Sequence, residues 1–331
     1  MMESGPETPA SRGSLARMAR AGGLGRLAYH LWHRPAGAIR DSLREGGPFE
    51  RRRTERGRAA MEAAAATLPP PGPFPGETLR PHVLTGRRFW YQTAFCLWSV
   101  AREAERPVAP VIHDDGTLDE PGRAKLWALF PAARFVDPAE ARARLDEWLP
   151  AGRFPTLRER WENYPHIRKI IDPHVGSTGW KLVMDSDLLF FRRPDALIGH
   201  LERADRPLHA VDCATSYGYS RALMAELAGR PVADLVNVGL TGLDSGQIDW
   251  DRLEGWCRAL VGREGKSYYL EQALVALLVA GRDCAVLPAG DYVTLPRPPE
   301  AQACQAVMHH YVAESKRWYF QHNWRRVLAA R

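Results

Sequence analysis

No stretch of this chain runs for 18 or more residues on apolar side chains alone, so no membrane-spanning helix is expected. The first residues are polar and rich in proline, serine and glycine, without the apolar core of a secretory signal. Cysteine is scarce. The five present, Cys96, Cys213, Cys257, Cys284 and Cys304, are scattered, odd in number and never in a C-x-x-C pair. That excludes a disulfide framework or a zinc ribbon as the organising element, and a reducing cytoplasm is the expected setting. No G-x-G-x-x-G follows the first strand-like segment, and no internal repeat is visible. Lysine is missing from the first 80 residues, which hold 13 arginines and eight acidic residues, a surplus of +5. The remainder carries 32 basic and 31 acidic residues, so nearly all of the net charge of +6 belongs to the start of the chain. A body so close to neutral lacks the basic, aromatic-studded surface that nucleic acid requires, and no nucleic-acid partner is expected.

What is present suits one large α/β body with an extension: 331 residues at 45% hydrophobic content. The pattern divides the chain into a basic, partly disordered or helical extension over 1–80 and a catalytic-sized domain over 81–331. Within the extension, Met1 to Ser14 is expected to be disordered. Leu24, Leu27, Ala28, Leu31 and Trp32 fall at helical spacing before Pro35. That stripe fits either a basic amphipathic helix on an anionic membrane surface or a helix packed on the body. The charge run Arg51 to Arg58 reads as a solvated helix face, and the proline-rich Leu68 to Gly76 as an extended linker. From His82 on, strand-like runs (His82–Thr85, Val108–Asp114, Ala133–Asp137) alternate with helical ones. This alternation predicts a mostly parallel sheet flanked by helices.

The segment Gly179 to Pro194 carries the chemistry. An apolar run ends in Asp185 and Asp187, and apolar residues resume at once. On a strand these two carboxylates would share a face at the carboxyl end, where open α/β sheets bind ligands. A solvated turn is the alternative, but the apolar residues on both sides fit it poorly. Two like charges so placed need a cation between them, and a divalent metal is the simplest one. Near the end of the chain, Ala306 to Met308 leads into His309 and His310, and Lys316 and Arg317 follow. Asp185, Asp187 and His310 form a candidate metal set, whose mixed carboxylate and imidazole donors favour Mn²⁺ over Mg²⁺. One histidine of the adjacent pair must point away if this segment is a strand.

These motifs resemble the GT-A glycosyltransferases, and more closely glycosyltransferase family eight, the glycogenin and bacterial lipopolysaccharide galactosyltransferase group. That family has a hydrophobic strand, D-x-D, and later H-F-x-G-x-x-K-P-W. Here the later segment reads His310 to Trp318, with Ala313 in place of the glycine and Arg317 in place of the proline. Between them, Asn237-x-Gly239 is similar to the family's N-x-G, and Glu271-Gln272 to its D-Q pair. The resemblance runs from Asp185 to Trp318. It implies a GT-A fold and transfer of a sugar from a nucleoside-diphosphate donor, a UDP-sugar in particular, to a glycan, lipid or small-molecule acceptor, with retention.

The resemblance also implies residue roles. Asp187 is the main metal ligand, and Asp185 bridges metal and ribose. Lys316 holds the diphosphate. Glu271 bonds donor hydroxyls, and Gln272 lies near the reacting face of the anomeric carbon; helix capping is the alternative for both. Asn237 and Gly239 line the acceptor side. Arg168 and Lys169 are candidates for donor phosphate or sugar, or else a solvated helix face. Asp114, Asp115 and Thr85 are candidates for the nucleoside, with a turn role for one aspartate. Trp318 is the candidate sugar platform. Two other readings stand beside this one: a nucleotide-sugar-binding protein without catalysis, and a haloacid-dehalogenase-like phosphatase, which would need a second acidic pair absent from Gly290 to Val293.

Overall fold

The structure is a computed structural model, and it describes residues 47–329. The expected disorder of residues 1–14 and the stripe from Leu24 to Trp32 lie outside the described residues. The chain divides into two units, 1–54 and 55–331. Of the first, only residues 47–54 are described, as the opening turns of helix α1 (Pro48–Ala65). Among the described residues, the second unit contains every strand.

From Gly57 on, one face of α1 is buried. Gly57, Met61 and Ala65 form it, with the half-buried Arg58 over the Phe320 ring, and Arg51, Arg52, Arg53 and Arg56 ahead of it are exposed. A Cβ on Gly57 would stand 2.2 Å from the carbonyl oxygen of Phe320, so only glycine lets the helix approach that closely. The proline-rich stretch after the helix has no regular structure, yet Trp98 Nε1 donates to the Pro69 carbonyl at 2.9 Å and ties it down.

Strands β1 (Pro81–Thr85), β2 (Val111–Asp114) and β3 (Arg134–Val136) alternate with helices α2 (Trp90–Ala104), α3 (Glu120–Leu129) and α4 (Pro138–Trp148). Asp119 and Asp137 accept from backbone N–H groups three residues on and start α3 and α4, each with a proline in its first turn. Helices α5 (Pro155–Asn163) and α6 (Arg168–His174) lead to β4 (Trp180–Met184). After β5 (Leu188–Phe190) and α7 (Asp195–Glu202) come β6 (Leu208–Val211), α8 (Arg221–Ala228) and β7 (Val236–Asp244). Helices α9 (Trp250–Glu264) and α10 (Leu270–Val279), then β8 (Ala285–Val286), complete the main sheet.

Its order is β3-β2-β1-β4-β7-β6-β8. All neighbours are parallel except β7, which runs against both β4 and β6. Helices cover both faces, each over its own buried apolar cluster. One holds Val83, Phe95, Ile112 and Leu240, and the other Leu157, Ile171, Leu253 and Leu274. The chain steps outward from β1 to β3, then returns to β4 on the other side of β1. That reversal leaves a crevice at the carboxyl ends of β1 and β4.

A second, three-stranded sheet has the order β5-β10-β9, with β9 (Tyr292–Thr294) and β10 (Met308–His310) flanking α11 (Pro298–Ala303). Leu188 of β5 is paired with His310 of β10, which sets the late histidine against the D-x-D segment. After β10 the chain turns through Ala313–Ser315, Lys316–Trp318 and a π-helical Tyr319–Asn323 into the last helix, Trp324–Ala329.

Candidate active site

A cavity of about 770 Å³ opens at the crevice, lined among others by Thr85, Asp115, Asp185, Gln272, His310 and Lys316. Asp185 and Asp187 reach it by a route different from the one the sequence suggests. Strand β4 ends at Met184, and Asp185-Ser186-Asp187 is the turn into β5. The turn is not solvated: the two aspartate side chains are 22% and 15% exposed. They converge because β4 and β5 belong to different sheets and the turn is pinned. Asp185 N donates to the Gly239 carbonyl at 2.8 Å, and Tyr311 N to the Asp187 carbonyl at 3.0 Å.

His310 completes the group. One ligand atom each from Asp185, Asp187 and His310 lie within 4.8 Å of one another, the only such cluster of metal-binding side chains among the described residues. Its Nε2 is 3.4 Å from Asp187 Oδ1 and 3.6 Å from Asp185 Oδ2. On the other side of the ring, Nδ1 is 3.2 Å from Asn237 Oδ1. That oxygen already accepts from Gly239 N at 2.9 Å, so it is an acceptor and Nδ1 must carry the hydrogen. In the neutral ring the Nε2 lone pair then faces the carboxylates, as a ligand histidine requires. Burial alone would lower the pKa of His310, but Asp187 and Asp185 outweigh it and raise the pKa above the ordinary value. The carboxylates call for a cation at this point, and the residues fit a divalent ion held by two oxygens and one nitrogen.

Two ammonium groups flank the cluster. Lys316 Nζ lies 3.1 Å from Asp187 Oδ2. Burial would raise the Asp187 pKa, but Lys316 and His310 hold the carboxyl well below the usual range. Lys169, 8% exposed, bridges Asp185 Oδ1 at 2.7 Å and Glu271 Oε2 at 3.1 Å. Its pKa is raised because these carboxylates overcome its burial. Glu271, buried against Asp185, has its own pKa raised. Neither it nor Gln272 caps α10 through its side chain. Gln272 Nε2 donates to Asp212 Oδ2 at 2.7 Å and to the Val236 carbonyl at 3.0 Å.

The cavity therefore gathers Thr85, Asp115, Lys169, Asp185, Asp187, Asn237, Glu271, Gln272, His310 and Lys316. Four other residues singled out from the sequence do not line it. Asp114 accepts from Gly116 N and Leu118 N and shapes the turn after β2. Arg168 is buried in an ion pair with Asp172, donates to the Asp114 carbonyl and lies over the Trp161 ring. Gly239 faces inward, where a Cβ would stand 2.3 Å from His310 Cε1, so its role is to make room for the imidazole. Trp318 packs beside His322 and Arg317. His309, the other member of the histidine pair, points away and bonds Glu300 and Tyr311.

Sequence reasoning passed over Asp212, His166, Tyr268 and Tyr269, all of which line the cavity. Asp212 had a signal of the same kind as Asp185, an acidic residue directly after the core strand β6. The aromatic pair had none, because tyrosines before a helix are as often core.

Neither a scan against protein-family models nor a search of curated proteins finds a match for the sequence. Among solved structures, mouse xyloside xylosyltransferase 1 in its apo form matches with a TM-score of 0.51 at 11% identity, over 72% of this chain and 99% of that one. The galactosyltransferase LgtC with donor and acceptor sugar analogues matches at 0.47 and 12% identity, over 70% of this chain and 87% of that one. The bifunctional glycosyltransferase WbbM matches at 0.48 and 9% identity, over 78% of this chain and 52% of that one. The chain has the GT-A fold.

Proposed function

We propose that this chain is a metal-dependent glycosyltransferase that uses a nucleoside-diphosphate sugar, a UDP-sugar in particular. The observation that carries the proposal is the convergence of Asp185, Asp187 and His310 within 4.8 Å, with Lys316 on the far oxygen of Asp187, at the switch point of a GT-A sheet. A fold shared at such low identity brings no activity by itself. The site adds the chemistry that glycosyl transfer needs.

Cleavage of the sugar–diphosphate bond builds negative charge on the leaving group. Asp185, Asp187 and His310 would hold a divalent ion, Mn²⁺ or Mg²⁺, which would supply Lewis-acid stabilisation of that charge. Lys316 is 38% exposed and reaches the same point from the cavity mouth, so it can pair with phosphate as well as with Asp187. Lys169 neutralises Asp185 and Glu271 and keeps both anionic groups in place without a bound ligand. Glu271 and Gln272, beyond the metal ligands, face the sugar. Thr85 and Asp115, at the end of β1 and after β2, face the nucleoside. The acceptor is a glycan, lipid or small molecule, entering past Asn237. Retention of configuration goes with this reading. So does a cytoplasmic setting, with the segment before residue 47 as the part that could reach a membrane surface. Among the described residues no helix is long and apolar enough to cross a membrane.

The test is donor turnover. With MnCl₂, the protein should be stabilised by UDP and should hydrolyse at least one of UDP-glucose, UDP-galactose and UDP-xylose slowly. EDTA should abolish both effects. Full turnover in EDTA would remove the metal from the proposal, and the absence of any UDP-dependent stabilisation would remove the donor.

A further inference from the structure

Gln272 is held in one orientation, and the residue that holds it is neither a metal ligand nor a phosphate partner. A carboxamide has two N–H donors and one acceptor oxygen. Both donors of Gln272 are engaged, one by Asp212 Oδ2 at 2.7 Å and one by the Val236 carbonyl at 3.0 Å. Each partner can only accept, so the amide cannot turn over without setting its oxygen against another oxygen. The residue lines the cavity. Its Oε1 has no hydrogen-bond partner in the protein and is not among the fully enclosed unpartnered atoms, so it stands open to the cavity.

Asp212 is itself fixed. Its Oδ1 accepts from Cys213 N at 2.7 Å, which leaves Oδ2 for Gln272. It stands directly after β6, whereas Gln272 is on α10, so the contact ties a strand end to a helix start across 60 residues.

We propose that Asp212 is a positioning residue. It orients the Gln272 amide so that an oxygen, and not an N–H group, faces the sugar. The inference rests on the glycosyl-transfer reading for what lies in front of that oxygen. Positive charge spreads over the anomeric carbon and ring oxygen as the bond to diphosphate breaks. An amide oxygen aimed there stabilises that charge, and an amide N–H₂ group aimed there opposes it. Asp212 needs no contact with substrate for this effect, and both of its oxygens are already hydrogen-bonded, which makes it a poor base or nucleophile.

The substitution Asp212→Asn tests this with almost no change in shape. The Cys213 N–H cannot move, so the remaining oxygen stays on it and the new N–H₂ faces Gln272. The Gln272 amide then meets a donor at residue 212 and an acceptor at the Val236 carbonyl, so neither orientation satisfies both and its single fixed orientation is lost. The first readout is the side-chain amide signals of the full chain labelled with ¹⁵N-glutamine, with Gln272→Glu used to assign the Gln272 pair. In the wild type both protons should be shielded from exchange. In Asp212→Asn the pair should shift and lose that protection, while the other glutamine signals stay in place. An unmoved Gln272 pair overturns the proposal.

The second readout is a double-mutant cycle on hydrolysis of the best UDP-sugar with MnCl₂. Asp212→Asn should lower kcat by about tenfold or more with KM within about twofold, and should add less than about twofold in a Gln272→Ala background. An equal loss in both backgrounds would mean that Asp212 acts by itself, and would also overturn the proposal. If the wild type turns over no donor, the glycosyltransferase reading fails, and the amide signals still decide whether Asp212 orients Gln272.

Discussion

At the scale of single residues, the proposed metal ligands depend on neighbours outside the ligand set. Gly239 is the sharpest case. A methyl group there would overlap the His310 ring at 2.3 Å, so Gly239→Ala should displace the imidazole as effectively as His310→Ala removes it. Both variants should bind Mn²⁺ more weakly by titration calorimetry, and added Mn²⁺ should partly restore their rates. Lys316→Ala should behave differently. It should keep Mn²⁺ affinity and lose on the order of 10²-fold in kcat, because in the proposed reaction Lys316 stabilises charge that develops on the leaving group. Near wild-type kinetics in all three would leave the aspartates as an ordinary turn. Ala313 gives a prediction of opposite sign. It occupies the position where the resembled motif has glycine, and it holds φ at +45°. The loop keeps a glycine-like backbone without the glycine, so Ala313→Gly should stabilise the protein by about 1 kcal/mol through relief of that strain. A lower melting temperature for the variant would show that unfolded-chain entropy outweighs the relief.

At the scale of elements, the long strands and helices could be read in advance, as could the short strand that ends in His310, but two other short strands that build the site could not. The run Val236 to Asp244 is one strand in the structure, and eight of its nine residues are buried, a pattern that leaves little choice. Strand β5 was hidden inside the apolar stretch that also contains the D-x-D segment, and β9 has only three residues. Without those two, nothing in the sequence says why His310 meets Asp187. Helix α6 was concealed by its own composition. It carries Arg168, Lys169, Asp172 and an internal Pro173, a composition that fits a solvated face as well as a ligand contact, and it is buried throughout with these charges paired inside. Behind the cavity, β1, β2 and α6 also bury three histidines. His82 Nδ1 is 3.0 Å from His113 Nε2, and His174 bonds Ser245. Burial lowers the pKa of His82 and of His174 to about 3, and that of His113 well below its usual value. In the unfolded chain these groups would take up protons near pH 6.5. Their contribution to stability is therefore complete above that pH and is lost as the pH falls toward about 3. Each adds a slope of up to about 1.4 kcal/mol per pH unit over that window. Urea midpoints between pH 7 and pH 4 should fall steeply, and less steeply in His113→Gln. Identical slopes would mean that the cluster admits a proton without opening.

At the scale of the whole molecule, the segment ahead of the sheet is not a uniform extension. The unit that contains the cavity begins at Glu55, inside α1, and Met61 is fully buried there. A chain that starts at Leu79 should lose that face, and with burial of one methionine worth about 1.5–3 kcal/mol its melting temperature should drop by roughly 5 °C or more. A chain that starts at residue 47 should keep the face. Equal melting temperatures for the two would mean that the helix contributes nothing to the body. The wide separation of the site's parts along the chain has a consequence for how the protein comes into being. The two aspartates belong to the middle of the polypeptide, whereas His310 and Lys316 lie more than 120 residues later. Contacts of such long range form late. A nascent chain that has left the ribosome only as far as Gln305 already holds the acidic turn, but has neither the imidazole nor the ammonium group that balances it. Completion of the cluster thus waits on the segment after Gln305, which is made later than the sheet that carries the aspartates.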